Sequence, residues 1–273
     1  MLSILNNISS LQAENSLNTT SMNLNSTLQQ LSTGQRINKG SDDPAGLAIA
    51  NGLEANVTAL TQSVQNASDG IGELQVADGA LAQVTTLLNQ AVSVATEAAT
   101  GTVSSAQRTS LNNEFQSITA EITSIGASTT YNGAAVFGAS STLTIFMSDS
   151  TSAGTTTVTA SMGTLSATSL TLNSDTLSTS ASAVSALTDI NNAIAAIASQ
   201  RGNLGATSIQ LQAATNVMNA QITNVQNAES GIMDADIGTT TSNLSKYSIL
   251  QQTGIAALQQ STQMEQGVLK LLQ

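Results

Sequence analysis

Between Leu53 and Ala95 apolar residues recur in alternating steps of four and three, at 57, 60, 64, 67, 71, 74, 78, 81, 85, 88, 92 and 95. Eleven of these thirteen positions are apolar, and the exceptions, Asp78 and Thr85, are too few to interrupt a continuous stripe. Such a repeat specifies a helical rod of roughly 60–70 Å, longer than a globular helix needs, with partner helices along its length. Pro44 is the only proline in the chain, so no other position forces a helix to break. The same spacing returns at Leu111, Phe115, Ile118, Ile122 and Ile125, which predicts a shorter second helix. It returns again from Leu187 to Ile232, where the polar exceptions are Arg201, Ser208, Thr215 and Glu229.

Both ends are helical in pattern as well. Ile4, Ile8, Leu11, Leu17, Leu24, Leu28 and Leu31 mark a first stripe with an Asn/Ser/Thr/Gln back. Gly34, Gly40 and Ser41-Asp42-Asp43-Pro44 interrupt it. Asp43 is a natural N-cap acceptor and Pro44 a natural first helical residue, so the long helix is expected to begin there. Residues 241–273 carry apolar side chains on more than one side, among them Leu244, Tyr247, Leu250, Ile255, Leu258, Met264 and Leu269. Between the helices, Tyr131-Asn132-Gly133 is a turn signal. Over 138–185, 28 of 48 residues are Ser, Thr or Gly, which disfavours helix and leaves short strands or mobile loop open.

The expected fold is mainly α: an elongated antiparallel bundle of long, coiled-coil-like helices with a small β-hairpin region and paired N- and C-terminal helices. Its expected parts are a terminal helical domain (1–40 with 235–273), a rod-like helical domain (41–137 with 185–234) and a β-hairpin or loop insert at 138–184. A helix that is apolar on several sides needs several neighbours, and the terminal segments offer each other only one. Either they pack on the central bundle of one molecule, or many copies supply the missing neighbours; composition leaves both open.

Composition narrows the chemistry. The 273 residues include no histidine, cysteine or tryptophan and five aromatics, Phe115, Tyr131, Phe137, Phe146 and Tyr247. Most catalytic designs thereby lose their central acid, base or nucleophile, so an enzyme is not expected. Six basic residues against seventeen acidic give a net charge of −11, too little positive charge to build a face for nucleic acid or an anionic membrane. The N-terminal Met1-Leu2-Ser3-Ile4-Leu5-Asn6-Asn7 has no basic region and no continuous apolar run, so a secretory signal peptide is not expected and any export uses another route. Asp42 with Asp43, Asp234 with Asp236, and Glu114 with Glu121 are the carboxylate groupings that raise a metal or acid/base question. Lacking a third ligand, they read as helix caps or solvated faces, with no metal or cofactor expected. Arg36, at the bend before the long helix, and Arg201 are each expected to meet a carboxylate in so acidic a chain. For Arg36 a static ion pair and a conformational switch are both open.

Leu31-Ser32-Thr33-Gly34-Gln35-Arg36-Ile37-Asn38 followed by Asp42-Asp43-Pro44-Ala45-Gly46-Leu47-Ala48-Ile49-Ala50 resembles the N-terminal signature of bacterial flagellin. Asp234-Ala235-Asp236, Ser245-Lys246, Ile249-Leu250-Gln251-Gln252 and Val268-Leu269-Lys270-Leu271-Leu272 resemble its C-terminal block. Arg201-Gly202-Asn203-Leu204-Gly205-Ala206 and Tyr131-Asn132-Gly133 match in family order, so the resemblance spans about 1–137 and 185–273.

The resemblance implies a short form of the flagellar filament subunit without large outer domains. It would form a homopolymer for swimming and be exported by the type III flagellar apparatus without a cleaved signal. Its implied partners are an export chaperone, the filament cap and the hook-associated proteins, and its implied location is the extracellular flagellum. A hook–filament junction protein and a flagellin-like adhesin are the alternatives. The implied subunit interface uses Ile4, Ile8, Leu11, Leu250, Leu258 and Leu269, and the implied inter-domain bend uses Arg36, Asp42, Asp43 and Pro44. Aligning Ala99-Thr100-Gly101-Thr102 with the similar family motif implies that the surface read by the innate receptor Toll-like receptor 5 falls on Gln90, Val94 and Glu114. Gln90 has lost the guanidinium that the family places there, so weak receptor binding is implied.

Overall fold

A computed structural model describes residues 8–138, 142–151 and 156–271. Five helices dominate it: α1 (Ile8–Thr33), α2 (Pro44–Ala99), α3 (Ser105–Ser128), α4 (Ser180–Met233) and α5 (Ile237–Leu271). Two antiparallel strand pairs separate α3 from α4: β1 (Thr130–Tyr131) with β2 (Ala134–Ala135), and β3 (Thr142–Met147) with β4 (Thr156–Ser161). The chain divides into two compact units, residues 1–55 with 224–273, and residues 56–223, with the boundaries inside α2 and α4.

Local chemistry sets the element ends, at Asp43-Pro44 and Asn132-Gly133 as the sequence expected. Asp43 accepts a hydrogen bond from the Gly46 amide at 2.9 Å, so α2 starts on an N-cap carboxylate followed by proline. Ser104 and Gln107 form a reciprocal capping box at the start of α3. Asn132 and Gly133 turn β1 into β2 with φ of 48° and 80°, the paired positive values that a two-residue I′ turn requires.

In the 56–223 unit, buried residues of α2, α3 and α4 share one core with the strands. On α2 the enclosed positions include Leu60, Ala67, Leu74, Leu81, Leu88 and Ala95, as the sequence register expected. The other half of the seam differs from that register. Residues 57, 64, 71, 78, 85 and 92 are half-buried, while Ser63, Gly70, Ala77, Val84, Ala91 and Ala98 are enclosed. These side chains are mostly small, so neighbouring segments approach the α2 backbone more closely than bulkier residues would allow. Ile145 of β3 lies over Gly70, where an added Cβ would sit 2.2 Å from its Cδ1. The Ser63 hydroxyl donates to the Ser148 carbonyl at 2.9 Å and accepts from the Ser148 amide at 2.8 Å, and Asn66 donates to the Phe146 carbonyl. The hairpin is therefore tied to α2 by both packing and hydrogen bonds.

The Ser/Thr-rich segment resolves into two kinds of structure. Residues 142–147 and 156–161 pair as the β3–β4 hairpin. Residues 162–179 have no regular structure, yet Met162, Leu165, Leu170, Leu172 and Leu177 are buried. Polar side chains of α3 hold their backbone: Thr123 and Asn112 accept from the Ala167 and Leu177 amides, and Gln116 donates to the Asp175 carbonyl. The segment belongs to the 56–223 unit.

Candidate assembly surface

In the terminal unit α1 and α5 pack antiparallel. The Ser10 and Ser261 hydroxyls are hydrogen-bonded at 2.9 Å, and Gly254 lies against Leu17. These two contacts set a register in which Leu24 stands level with Tyr247 and Leu31 level with Thr240. The less exposed positions follow that seam in steps of three and four: 10, 13, 17, 20, 24, 27 and 31 on α1, and 240, 244, 247, 251, 254, 258 and 261 on α5. Several of these residues are Ser, Thr, Gln or Gly, so the seam buries little apolar surface.

Much of the apolar surface lies elsewhere. At about 100° per residue, Ile8, Leu11 and Met22 fall on the side of α1 opposite the seam, and all three are exposed. On α5, Ile249 is opposite the seam, Leu250 and Met264 flank it on one side and Ile237 and Ile255 on the other; all are exposed. Leu11 and Leu250 keep 55% and 44% of their surface in water. Of the six interface residues the resemblance implied, Ile8, Leu11 and Leu250 are thus open. Leu258 is half-buried on the α1–α5 seam, a correction to its place in an uncovered face. Ile4 lies outside the described residues, as does the Leu269 side chain, although its backbone is in α5.

The bend is built from backbone. Gly34, at a φ of 74°, ends α1, and its carbonyl accepts from the Ala235 amide at 2.9 Å. The Arg36 amide donates to the Met233 carbonyl, giving an isolated bridge between Gln35 and Asp234. The Arg36 guanidinium donates from Nε and Nη2 to the Ile232 carbonyl at 3.2 and 2.8 Å. The expected carboxylate partner is therefore corrected: Arg36 caps the last turn of α4, where the helix dipole and free carbonyls favour a cation. Asp42 accepts from the Asn38 and Lys39 amides, and Ile37 is buried beneath them. Arg201 does meet a carboxylate. Its Nε and Nη2 reach the two oxygens of Asp78 at 2.7 and 3.2 Å, so polar exceptions in two apolar stripes satisfy each other.

Asp236 caps α5. Its carboxylate accepts from the Gly238 and Thr239 amides and the Thr239 hydroxyl, and these bonds hold its pKa below the ordinary aspartate value. Because the folded-state pKa is depressed, the cap is fully formed above the ordinary value of about 3.9 and is lost as pH falls through the lowered value. Relative to the intrinsic rate at each pH, amide exchange at Gly238 and Thr239 is expected to accelerate over that acid range in the wild type. Asp236→Asn, whose amide oxygen caps without titrating, is expected to show no such acceleration.

The receptor-surface positions separate. Gln90 is exposed and donates to Glu114 Oε1 at 3.2 Å, so α2 and α3 bring these two together. Val94 is only 6% exposed and belongs to the core, a correction to its place on a surface. It sits within the run of enclosed α2 positions at 91, 95 and 98, which the aligned motif could not reveal. Among the described residues no group of three or more His, Cys, Asp or Glu converges, and no helix is long and apolar enough to cross a membrane.

Long helices in two units, a hairpin anchored to its helix and a terminal pair with apolar residues facing outward define a helical structural protein. The bacterial flagellin N-terminal helical region matches residues 4–142, and the bacterial flagellin C-terminal helical region matches residues 187–272. The chain belongs to the bacterial flagellin family. It is 42% identical to the B-type flagellin of Pseudomonas aeruginosa over 113 residues, 41% of this chain but 23% of that protein. The flagellar filament 33 kDa core protein of Treponema phagedenis is 30% identical over 289 residues, covering 98% of this chain and 99% of that one. A crystal structure of Bacillus cereus flagellin superposes with a TM-score of 0.50 at 27% identity, covering 60% of this chain and 94% of that one.

Proposed function

We propose that this chain is a structural subunit that polymerises with copies of itself into an extracellular flagellar filament and performs no catalysis. The observation that carries the reading is the outward apolar surface of α1 and α5, from Ile8 and Leu11 to Ile249 and Leu250. Ordering a terminal pair with so polar a seam costs about 1–2 kcal/mol per backbone residue. Covering the outward Leu, Ile and Met side chains returns roughly 1.5–3 kcal/mol each. A filament supplies that cover. The proposal extends to the partners that such a subunit needs: the flagellar export apparatus, an export chaperone, the filament cap and the hook-associated proteins. In it α1 and α5 supply the contacts between neighbouring subunits.

Electron microscopy and hydrogen exchange of the purified chain test the reading. Long filaments are expected, with α1 and α5 amides far better protected in polymer than in monomer. Short, self-limiting assemblies would favour a junction protein instead, and equal protection in both states would make the terminal pair an ordinary intramolecular element.

Recognition by Toll-like receptor 5 is proposed to be weak. Gln90 offers a neutral amide where a guanidinium would offer five donors, and that amide already bonds Glu114. Losing a charge-assisted contact at an interface centre costs about 2 kcal/mol, roughly thirtyfold. With Val94 in the core, Gln90→Arg alone is expected to recover part of the response in a reporter-cell assay on monomer. A wild-type response equal to that of a strongly stimulatory flagellin would refute the proposal.

A further inference from the structure

The chain has seven methionines and no cysteine, so thioethers are its main targets for mild oxidants. Met1 lies outside the described residues, and the other six are distributed unevenly. Met147, Met162 and Met218 are buried in the 56–223 unit, and Met233 is half-buried at the end of α4. Met22 and Met264 are 60% and 61% exposed, and both lie on the terminal helix pair away from its seam. Met22 shares the outward side of α1 with exposed Ile8 and Leu11, and Met264 lies on the flank of α5 that also carries exposed Leu250. Each exposed thioether thus lies on an outward side that carries other exposed apolar residues.

We propose that the Met22 and Met264 thioethers are oxidation sites for peroxides, and that sulfoxide formation there blocks self-assembly while leaving the monomer folded. The inference rests on the assembly reading above. With hydrogen peroxide, a sulfur lone pair takes one peroxide oxygen, the O–O bond breaks, and water leaves. Sulfur is oxidised by two electrons and the peroxide is reduced by the same two. In the monomer each new S=O faces water and costs the fold little. At a subunit contact, the same oxygen loses its water and costs assembly wherever the covering surface offers it no donor. Assembly in turn covers the thioethers, so monomer is sensitive and polymer is shielded. The buried methionines react only when the 56–223 unit opens.

The test treats full-length monomer with dilute hydrogen peroxide and follows each methionine by peptide mass spectrometry. Met22 and Met264 are expected to gain one oxygen at least about tenfold faster than Met162 and Met218. The oxidised monomer keeps its helical circular dichroism, while its critical concentration for assembly rises by at least about tenfold. Filaments treated identically are expected to leave both residues reduced. The Met22→Leu/Met264→Leu variant preserves the apolar faces and is expected to assemble normally after peroxide treatment. Uniform oxidation across the methionines overturns the inference. So does an oxidised wild type that assembles like the untreated protein, or a double-leucine variant that stays sensitive. If untreated protein forms no polymer, the assembly reading itself fails, and the mass spectra decide the site assignment independently.

Discussion

The Leu11→Asp/Leu250→Asp variant is expected to fold and melt like the wild-type monomer and to form no filaments. Both side chains are well exposed, so placing a carboxylate there leaves the α1–α5 seam untouched. Exposed substitutions of this kind usually change stability by no more than about 0.5 kcal/mol. In the proposed polymer the same positions lie under neighbouring subunits. There an aspartate forfeits the leucine's burial and either carries an unpaired charge or takes up a proton. Every copy repeats the defect, so the cost multiplies along the helix. Circular dichroism of the monomer and electron microscopy after assembly check the two halves separately. Normal filaments from this variant would show that the outward faces of α1 and α5 are not subunit contacts.

Gly126→Ala and Gly79→Ala are expected to change stability in opposite directions by a wide margin. Both glycines lie inside helices, where alanine is normally better by about 1 kcal/mol. A Cβ on Gly79 meets nothing within 4 Å, so that gain should appear in full. A Cβ on Gly126 would sit 1.9 Å from the Leu165 carbonyl oxygen. That oxygen is backbone, flanked by buried Leu165 and by Ala167, whose amide is tied to Thr123, so it cannot swing aside as a side chain would. Overpacking of this severity costs about 3 kcal/mol. At roughly 2–4 °C per kcal/mol, Gly126→Ala should lower the melting transition of the 56–223 unit by about 6–12 °C. A melting point within a degree or two of wild type would mean that residues 162–179 do not pack against α3 as described.

The contrast between these glycines separates what is local from what is not. The sequence by itself determined the helices, because a 4-3 apolar repeat and a single proline allow little else over such lengths. It also determined the start of α2 at Asp43-Pro44 and the β1–β2 turn at Asn132-Gly133, since a cap and a turn depend on a few neighbouring residues. The outward apolar faces of α5 were legible too, from apolar residues on more sides than one partner can cover. The single stripe read on α1 instead divides in the structure, with Leu17 and Leu24 on the seam and Ile8 and Leu11 opposite it. Tertiary structure decided the rest. Which half of the α2 repeat is enclosed depends on how closely other segments approach, and Ser63, Gly70 and Ala77 yield more room than Val57, Val64 and Ile71. Val94 is buried for the same reason. The Arg36 guanidinium meets the Ile232 carbonyl instead of a carboxylate because α4 ends beside it, nearly two hundred residues away in sequence. Leucines of 162–179 enter the core although no periodicity marks them, because α3 supplies the polar side chains that satisfy their backbone. Period and capping are carried by nearest neighbours along the chain, whereas close approach and the pairing of distant polar groups exist only once the elements have met.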